Sequence, residues 1–255
     1  MPKLFSVSLR SLRCEGEEEG NLEGKSIIVW GEDTIRTSRL RGVWGERLTN
    51  KQRDMLKLTR KAKGILIGVL LSDGWVRRQK KHWSPTIGIK QSMKNVKFLL
   101  EIQNEIGYLY PSRKIRVSSN MLRGERRYGV SMETRALPCL KEVVMLLYEE
   151  KKGKLVRRIQ EELINEMNEI VLAYWIMGDG AKRNDGIILC TDGFTMREVV
   201  LLMNILRIRL GVESTIHKEK GRSRIYIKGR EMRKVIKEVD KHVIKHFKYK
   251  LNNLV

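Results

Sequence analysis

Two apolar stretches decide the fold: LIGVLLSDG at residues 66–74 and LAYWIMGDG at residues 172–180. Each is apolar on nearly every side of a helix, which is typical of a helix buried all round. Each stretch then ends in an aspartate followed by a glycine. Glycine commonly closes a helix, but a carboxylate is unfavourable at the negative end of the helix dipole. Helix termination therefore explains the glycines and leaves Asp73 and Asp179 unexplained.

The spacing of the two acids indicates one structural unit made twice, because Asp73 and Asp179 lie 106 residues apart. Two helices that are apolar all round are buried most easily against each other, and parallel packing would bring both acids to one end. Two carboxylates there repel, so a cation is needed between them, and a divalent metal is the natural candidate. A single such aspartate is usually an ordinary solvated residue. A matched pair that breaks a local rule is more typical of a functional site.

Small residues support close packing of the two helices. Gly64, Gly68 and Ser72 follow one another at intervals of four, and Gly178 stands directly before the second acid. Such residues allow two backbones to approach. We therefore expect this stripe at the contact between the helices.

The composition indicates a partner of negative charge. The chain of 255 residues has 52 Lys and Arg against 30 Asp and Glu, a net charge of +22. Nucleic acid is the leading candidate, although a ribosomal or chromatin-like protein has a similar balance. An anionic membrane is disfavoured because the basic residues are dispersed, and no apolar run approaches the ~20 residues of a membrane span. We expect a soluble protein without a membrane partner.

The cysteines point to no cross-link or zinc site. Cys14, Cys139 and Cys190 are odd in number and lack the C-x-x-C spacing. Neither a disulfide framework nor a zinc ribbon is expected. They are interpreted as small thiols in a reducing compartment.

Both halves carry the same series of predicted elements: helix, two strands, helix, two strands, helix. In the first half we predict helices at 51–63, 64–73, 95–106 and 137–149 and strands at 75–81, 86–91, 113–119 and 127–132. In the second half we predict strands at 187–191, 213–218 and 224–228 and a closing helix at 231–243. The fold class is therefore α+β, with two pseudo-symmetric αββαββα repeats whose antiparallel sheets form a saddle around two central packed helices.

The predicted domains follow from this repeat. They are an N-terminal extension at 1–47, a first repeat at 48–150, a charged, helix-prone linker at 151–169 and a second repeat at 170–255. Residues 1–13 are basic and contain serines, so a transit peptide is an alternative for them. The acidic, glycine-rich segment at 15–24 favours an extension instead.

The predicted strands alternate apolar residues with basic and hydroxyl residues, which is typical of sheets with one solvated face. Ile115 and Val117 are expected to point inward. A long basic face suits duplex DNA, with cations on phosphates and Arg, Gln, Ser or Thr on base edges. The predicted DNA contacts are Arg77, Gln79, Lys81, Thr86, Lys90, Lys114, Arg116, Ser118, Lys182, Lys218, Arg224, Tyr226 and Lys228.

The paired stretches resemble the repeated motif of the LAGLIDADG homing endonucleases, in the single-chain form that carries two copies. The second copy, LAYWIMGDG, is the closer match, and the first keeps the glycine at the third place and the final Asp-Gly. Both depart at the sixth place, Leu71 and Met177. The resemblance extends over about residues 50–255.

The resemblance implies a set of catalytic and metal-binding groups. Asp73 and Asp179 would bind divalent metal, helped by the backbone carbonyls of Ser72 and Gly178. The metal would be Mg²⁺ or Mn²⁺, with Ca²⁺ as a non-productive substitute. It would activate water and stabilise the leaving oxygen in phosphodiester hydrolysis. One acid per half lets one chain cut both strands and leave short 3′ overhangs.

The family also places a lysine after the closing helix of each repeat, where a cation offsets the charge that builds on phosphorus. In the second repeat Lys250 stands in a matching Tyr-Lys-Leu context. In the first repeat the family context is Lys-x-Ile-Pro. Lys154 fits it less well, with Arg157 where proline would stand, so Lys151 and Lys152 remain alternatives.

These features predict a monomeric, metal-dependent, site-specific double-strand DNA endonuclease of the kind encoded in introns. One alternative is an RNA maturase that assists splicing, with host intron RNA as its partner. Another is a regulator that binds DNA and has lost cleavage, which two retained acids argue against. The expected location is either the cytoplasm or nucleoid of a prokaryote or an organelle.

Overall fold

The computed structural model describes residues 48–111, 115–219, 221–251 and 254. The predicted N-terminal extension at 1–47, with Cys14, lies outside the described residues, as does the predicted DNA contact Lys114. The described residues belong to one unit, Ile35–Val255.

The first repeat follows the predicted order after a short leading helix. Its elements are α1 (Asn50–Met55), α2 (Arg60–Leu71), β1 (Gly74–Arg77), β2 (Thr86–Ser92), α3 (Val96–Ile106), β3 (Arg116–Leu122), β4 (Glu125–Glu133) and α4 (Leu140–Leu147). The continuous helix predicted at 51–63 is wrong. Thr59 interrupts it as a second N-cap, with its hydroxyl accepting the Ala62 N–H at 3.1 Å, and a capped start begins a new helix.

A hairpin joins the two repeats where the charge pattern predicted a helix-prone linker. Its strands are β5 (Tyr148–Lys151) and β6 (Lys154–Arg157), and a short helix α5 (Leu163–Glu166) follows. Lys152 and Gly153 form the turn, both with positive φ, 49° and 77°. A turn with two positive φ angles suits the twist of a hairpin and favours glycine. The closing helix of the first repeat therefore ends at Leu147, two residues earlier than predicted.

The second repeat has the same order of elements. They are α6 (Glu169–Asp179), β7 (Gly180–Arg183), β8 (Gly186–Leu189), α7 (Met196–Leu210), β9 (Thr215–Glu219), β10 (Arg222–Ile227), α8 (Gly229–Met232) and α9 (Ile236–Asp240). A 3₁₀ helix at Lys245–Lys250 follows. The closing helix predicted at 231–243 is thus broken into α8 and α9. Otherwise the predicted α+β fold of two αββαββα repeats is confirmed.

Each repeat contributes a four-stranded antiparallel sheet, and the two sheets have corresponding strand orders: β1-β2-β4-β3 and β7-β8-β10-β9. The inner face of each sheet carries buried aliphatic residues that join one hydrophobic core with α2 and α6. They are Ile87, Ile89, Val130 and Met132 in the first sheet and Ile187, Leu189, Ile225 and Ile227 in the second. We call the opposite surface of each sheet its outer face.

Helices α2 and α6 pack along the predicted stripe of small residues. A Cβ added to Gly64 would lie 2.9 Å from Ile170 Cγ2, and one on Gly68 would lie 2.7 Å from the Val171 carbonyl oxygen. At the far end, a Cβ on Gly178 would lie 2.2 Å from Ser72 Oγ. The contacts advance in the same direction along both helices, so the helices are parallel. Backbones this close leave no space for a larger side chain.

The strands differ from prediction at their ends. β1 ends at Arg77, which pairs with Thr86 of β2. Gln79 and Lys81 therefore lie in the connecting loop rather than in the predicted strand. Pro85, which has no N–H for a ladder, stands directly before β2. Val117 pairs with Val130 but is 60% exposed, because β3 is an edge strand. Across the described ranges, no helix is long and apolar enough to cross a bilayer.

Candidate active site

The two motif acids meet at one end of the parallel helix pair. Asp73 follows the last turn of α2, and Asp179 is the last residue of α6. A Cβ on Gly178, the residue before Asp179, would lie 3.4 Å from Oδ2 of Asp73. The close packing of the small residues therefore brings the two acids together, as predicted.

The two carboxyl groups are half-buried and oppose each other's ionisation. Burial raises the pKa of Asp179 to about 6, the charge of Asp73 adds to the rise, and Lys250 and Arg157 act against it. Burial also raises the pKa of Asp73, against a hydrogen bond from Gln91 and the charge of Lys250. Such a pair favours a further cation beside it.

Lys250 lies at this end of the helices, as the Tyr-Lys-Leu context indicated. It is 7% exposed, and its Nζ donates to the carbonyl oxygens of Ile176 at 3.0 Å, Met177 at 2.7 Å and Gly178 at 3.3 Å. Burial lowers its pKa to about 8, while the two aspartates act to raise it. The ammonium group thus closes the C-terminal end of α6, where a cation is favoured.

The lysine predicted for the first repeat is elsewhere. Lys154 is exposed at the start of β6 and pairs with Lys151 beside the hairpin turn. The basic group that reaches the first motif helix belongs to Arg157, whose Nη2 donates to the Leu70 carbonyl oxygen at 2.7 Å. Counted from Arg157, the sequence reads Arg-x-Ile-Gln, so an isoleucine again falls at the third place.

Gln91 is a site residue that the sequence reasoning missed. Its side-chain amide donates a hydrogen bond to Oδ2 of Asp73, and its Oε1 accepts one from Asn95 Nδ2 at 3.0 Å. Asn95 Oδ1 in turn lies 3.2 Å from Nε2 of His246 in the second repeat. A signal was present: Gln91 follows Ile87 and Ile89 at the spacing of the inner face, where a polar residue is unexpected.

The second repeat has a different residue in the corresponding place. Ile89 pairs with Gly74, and Leu189 pairs with Gly180, so Thr191 corresponds to Gln91. The Thr191 hydroxyl donates to the carbonyl oxygen of Ser223 at 2.6 Å rather than turning to the acid. The two acids therefore have different surroundings.

The donors at this end of the helices fit a hard divalent cation. The two carboxylates and the carbonyls before them, of Ser72 and Gly178, are oxygen ligands of the kind that Mg²⁺ prefers. Among the described residues no cluster of three or more His, Cys, Asp and Glu side chains could hold a metal. Mg²⁺ is commonly held by one or two carboxylates together with substrate phosphates and water. The two acids and the two carbonyls would supply the protein's ligands for such an ion.

On the first sheet, strand register places most of the predicted DNA contacts on the outer face. Side chains alternate between the two faces of a strand, so positions between the buried aliphatic residues lie on the outer face. The predicted contacts at such positions are Arg77, Thr86, Lys90, Arg116 and Ser118. Arg77 is committed to a bidentate pair, with Nε and Nη2 each 2.9 Å from Glu133. Lys90 and Arg116 are exposed.

On the second sheet the prediction is only partly matched. Arg224 and Tyr226 lie on the outer face. Lys182 pairs with Ile187 and Lys218 pairs with Ser223, so both lysines lie at inner-face positions of their strands. They are exposed because β7 and β9 are edge strands. Lys228 is exposed after the end of β10. Basic residues that prediction missed on the outer face are Arg183, His217 and Arg222.

Acidic residues hold several outer-face side chains of the second sheet in place. Arg224 donates from Nε and Nη2 to Asp192 at 3.0 and 3.1 Å and from Nη1 to Glu219 at 2.6 Å. Arg224 and Arg222 hold the pKa of the Asp192 carboxyl well below its usual range. The Tyr226 hydroxyl donates to Asp185 at 3.0 Å. The second sheet thus presents a pre-organised rather than a mobile polar face.

Comparison with known proteins identifies relatives of two kinds. The chain is 27% identical to the cytochrome b mRNA maturase bI2 of Debaryomyces hansenii, over 74% of this chain and 72% of that protein. It is 33% identical to the probable intron-encoded endonuclease 1 of Wickerhamomyces canadensis, over 35% of this chain and 42% of that protein. The alignment thus spans less than half of the second relative's length.

A solved structure has the same fold. The homing endonuclease I-WcaI bound to its DNA recognition sequence superposes with a TM-score of 0.70 and 21% identity, over 84% of this chain and 98% of that one. The model of the LAGLIDADG DNA endonuclease family matches residues 63–235, which include both motifs and both four-stranded sheets. The chain therefore belongs to the LAGLIDADG DNA endonuclease family.

Proposed function

We propose that this protein is a site-specific, metal-dependent endonuclease that cuts both strands of duplex DNA. One observation carries the proposal: two mutually repelling carboxylates, Asp73 and Asp179, meet at the C-terminal ends of two parallel buried helices. Each helix leads directly into a sheet whose outer face carries basic residues. Buried like charges destabilise a fold and are retained where function needs them.

We assign the acids and the carbonyls of Ser72 and Gly178 as ligands of Mg²⁺ or Mn²⁺, with Ca²⁺ expected to bind without supporting cleavage. When bound, the metal supplies Lewis-acid stabilisation of charge on phosphate and water oxygens. Lys250 holds the end of α6 and brings a positive charge toward the scissile phosphate. One acid from each repeat permits cleavage of both strands by a monomer, which leaves short 3′ overhangs.

DNA binding is assigned to the outer faces of the two sheets. A net charge of +22 supplies the attraction to the phosphate backbone. Exposed lysine and arginine side chains such as Lys90 and Arg116 are assigned to phosphates. Side chains fixed by acidic partners, such as Arg77 and Arg224, are assigned to base edges, because a pre-organised guanidinium loses less entropy on binding.

The test is strand cleavage by single-site variants. The full chain is incubated in Mg²⁺ with an intronless copy of the host gene, and the ends are mapped. Asp73→Asn and Asp179→Asn should each abolish double-strand cleavage, by on the order of 100-fold or more, while the dissociation constant for the mapped site in Ca²⁺ stays within about threefold. Normal cutting by either variant would refute the assignment of the acids.

Maturase activity is a second candidate, and one observation favours it: a relative that aligns over 72% of its length is named an mRNA maturase. The basic outer faces would serve RNA as well as DNA. A splicing assay on the host transcript with the two Asp→Asn variants separates the functions, because splicing should survive the loss of the acids. A regulator without cleavage is the least supported candidate, since binding alone has no use for two half-buried acids.

The relatives also bear on location and gene context. The maturase comes from a yeast and is named for the mRNA of cytochrome b, a respiratory protein, which supports an organellar location over a prokaryotic one. The second relative is named as intron-encoded, and we propose an intron origin for this chain. We keep the repeat boundaries at 48–150 and 170–255, with 151–169 between them, as a proposal.

A further inference from the structure

Arg157 approaches the first motif helix at the same place where Lys250 approaches the second. Its Nη2 donates to the Leu70 carbonyl oxygen at 2.7 Å, and Lys250 Nζ donates to that of Ile176 at 3.0 Å. Leu70 and Ile176 are each the fifth residue of their motif, 106 residues apart. The two cations therefore occupy equivalent positions in the two repeats.

The Arg157 guanidinium lies near two aromatic rings. Its central carbon lies 5.0 Å from the ring centroid of Phe194, which precedes α7, and 5.9 Å from that of Tyr148 in β5. Cation–π contacts at these distances favour a planar guanidinium. Tyr148 belongs to the hairpin and Phe194 to the second repeat, so Arg157 joins the hairpin to both halves of the site.

The charge of Arg157 reaches one of the two motif acids, Asp179. It acts to lower the pKa of Asp179, as does Lys250. The neighbouring Arg158 forms a long ion pair with Glu149 at 3.8 Å and is half-exposed. Adjacent arginines of equal charge thus have different environments, and Arg157 is the one hydrogen-bonded to α2.

We propose that Arg157, rather than Lys154, is the basic positioning residue of the first half-site and the counterpart of Lys250. This inference rests on the proposed endonuclease function. It also makes the two half-sites chemically unequal, because one uses a guanidinium beside two aromatic rings and the other an ammonium held by three carbonyls. The loss of Arg157 should therefore slow the cutting of one strand more than the other.

The experiment uses the full chain and a duplex of the mapped site with a different fluorophore on each strand. Arg157→Gln keeps a hydrogen-bond donor but removes the charge, and it should slow one strand at least about tenfold while the other stays within about threefold. Arg157→Lys restores the charge and should recover most of that rate. Arg158→Gln is the matched control and should cut both strands at wild-type rates.

Three readouts separate a positioning role from a purely structural one: the two strand rates, binding in Ca²⁺ and the melting temperature. Binding and the melting temperature of Arg157→Gln should stay close to those of the wild type. A structural role instead predicts an equal slowing of both strands with a lower melting temperature. Strand-selective slowing by Lys154→Gln, with wild-type rates for Arg157→Gln, would overturn the assignment.

Two further outcomes distinguish this inference from the proposed function. If the wild-type protein cuts no duplex, the proposed function itself is overturned. If the wild-type protein cuts and Arg157→Gln cuts both strands equally fast, only this inference is overturned.

Discussion

Gln91 is hydrogen-bonded to Asp73 at the end of the helix pair, whereas Thr191, the corresponding residue of the second repeat, donates to Ser223 instead. The amide donor opposes the rise in the pKa of Asp73 that burial causes. The first acid is therefore oriented by a neighbour from the adjacent strand, while the second stands beside the charges of Asp73, Lys250 and Arg157.

Replacing Gln91 by Leu should weaken metal binding at low pH. Without the donor, the ionised form of Asp73 loses a favourable contact, so the pKa of Asp73 rises and protons compete better with the metal. The acidic limb of the pH–rate profile for cleavage should shift to higher pH, while the rate at pH 8 changes less. Asn95 is one hydrogen bond further from Asp73, so Asn95→Ala should shift the acidic limb less than Gln91→Leu does. An unmoved profile for Gln91→Leu would contradict this role.

Gly68→Ala should destabilise the fold through the helix contact. The added Cβ would lie 2.6 Å from Tyr174 Cβ and 2.7 Å from the Val171 carbonyl oxygen, so α2 and α6 must move apart. Overpacking of this kind costs about 1–3 kcal/mol, measurable by urea unfolding. Gly193→Ala is the control, since the nearest atom to its Cβ would be a guanidinium nitrogen 3.5 Å away. Equal stability of the two variants would show that the helices adjust freely.

Asp179→Asn should stabilise the metal-free protein at neutral pH. A carboxyl whose pKa is raised on folding, here to about 6, costs stability when ionised. That cost is absent below about pH 4 and fully present above about pH 6. Because solvent screens part of the charge of this half-buried group, replacing it by Asn should stabilise the fold by about 1 kcal/mol at pH 7.5. The stabilisation should vanish at pH 4.

The measurement for Asp179→Asn is thermal unfolding in the presence of a chelator at both pH values. Asp54→Asn, an exposed substitution of the same kind in α1, is the control. A stabilisation of equal size at pH 4 and pH 7.5 would exclude ionisation as its cause.

The variants Lys90→Ala and Lys182→Ala test whether DNA contacts the outer face of a sheet rather than its inner face. Both lysines are exposed, but register puts Lys90 on the outer face of the first sheet and pairs Lys182 with the buried Ile187. Lys90→Ala should weaken binding of all duplexes and reduce the slope of log affinity against log salt by about 1. Lys182→Ala should leave that slope unchanged. Titrations in Ca²⁺ at several salt concentrations test this, and equal slopes for both variants would reject the face assignment.

Several features could be predicted because their causes are local in sequence. Apolar residues on every side of a helix require burial, so the two motif helices and their small-residue contact followed from composition and spacing. Alternation along 86–91 and 127–132 placed β2 and β4 correctly. Lys250, which lies at the end of α6, was indicated by the family resemblance of its Tyr-Lys-Leu context rather than by a local physical cause.

Tertiary structure alone decided which cation serves the first half and which lysines share a face. Lys154 and Arg157 are both basic and three residues apart, and only the hairpin formed by β5 and β6 turns Arg157 toward α2. Lys218 was predicted to contact DNA, as Arg224 was, but its pairing with Ser223 puts it on the opposite face from Arg224. The register between β9 and β10 is a property of two strands and cannot be read from one of them. Periodicity reports what one segment must bury, whereas the direction of a charged side chain depends on the segment against which it packs.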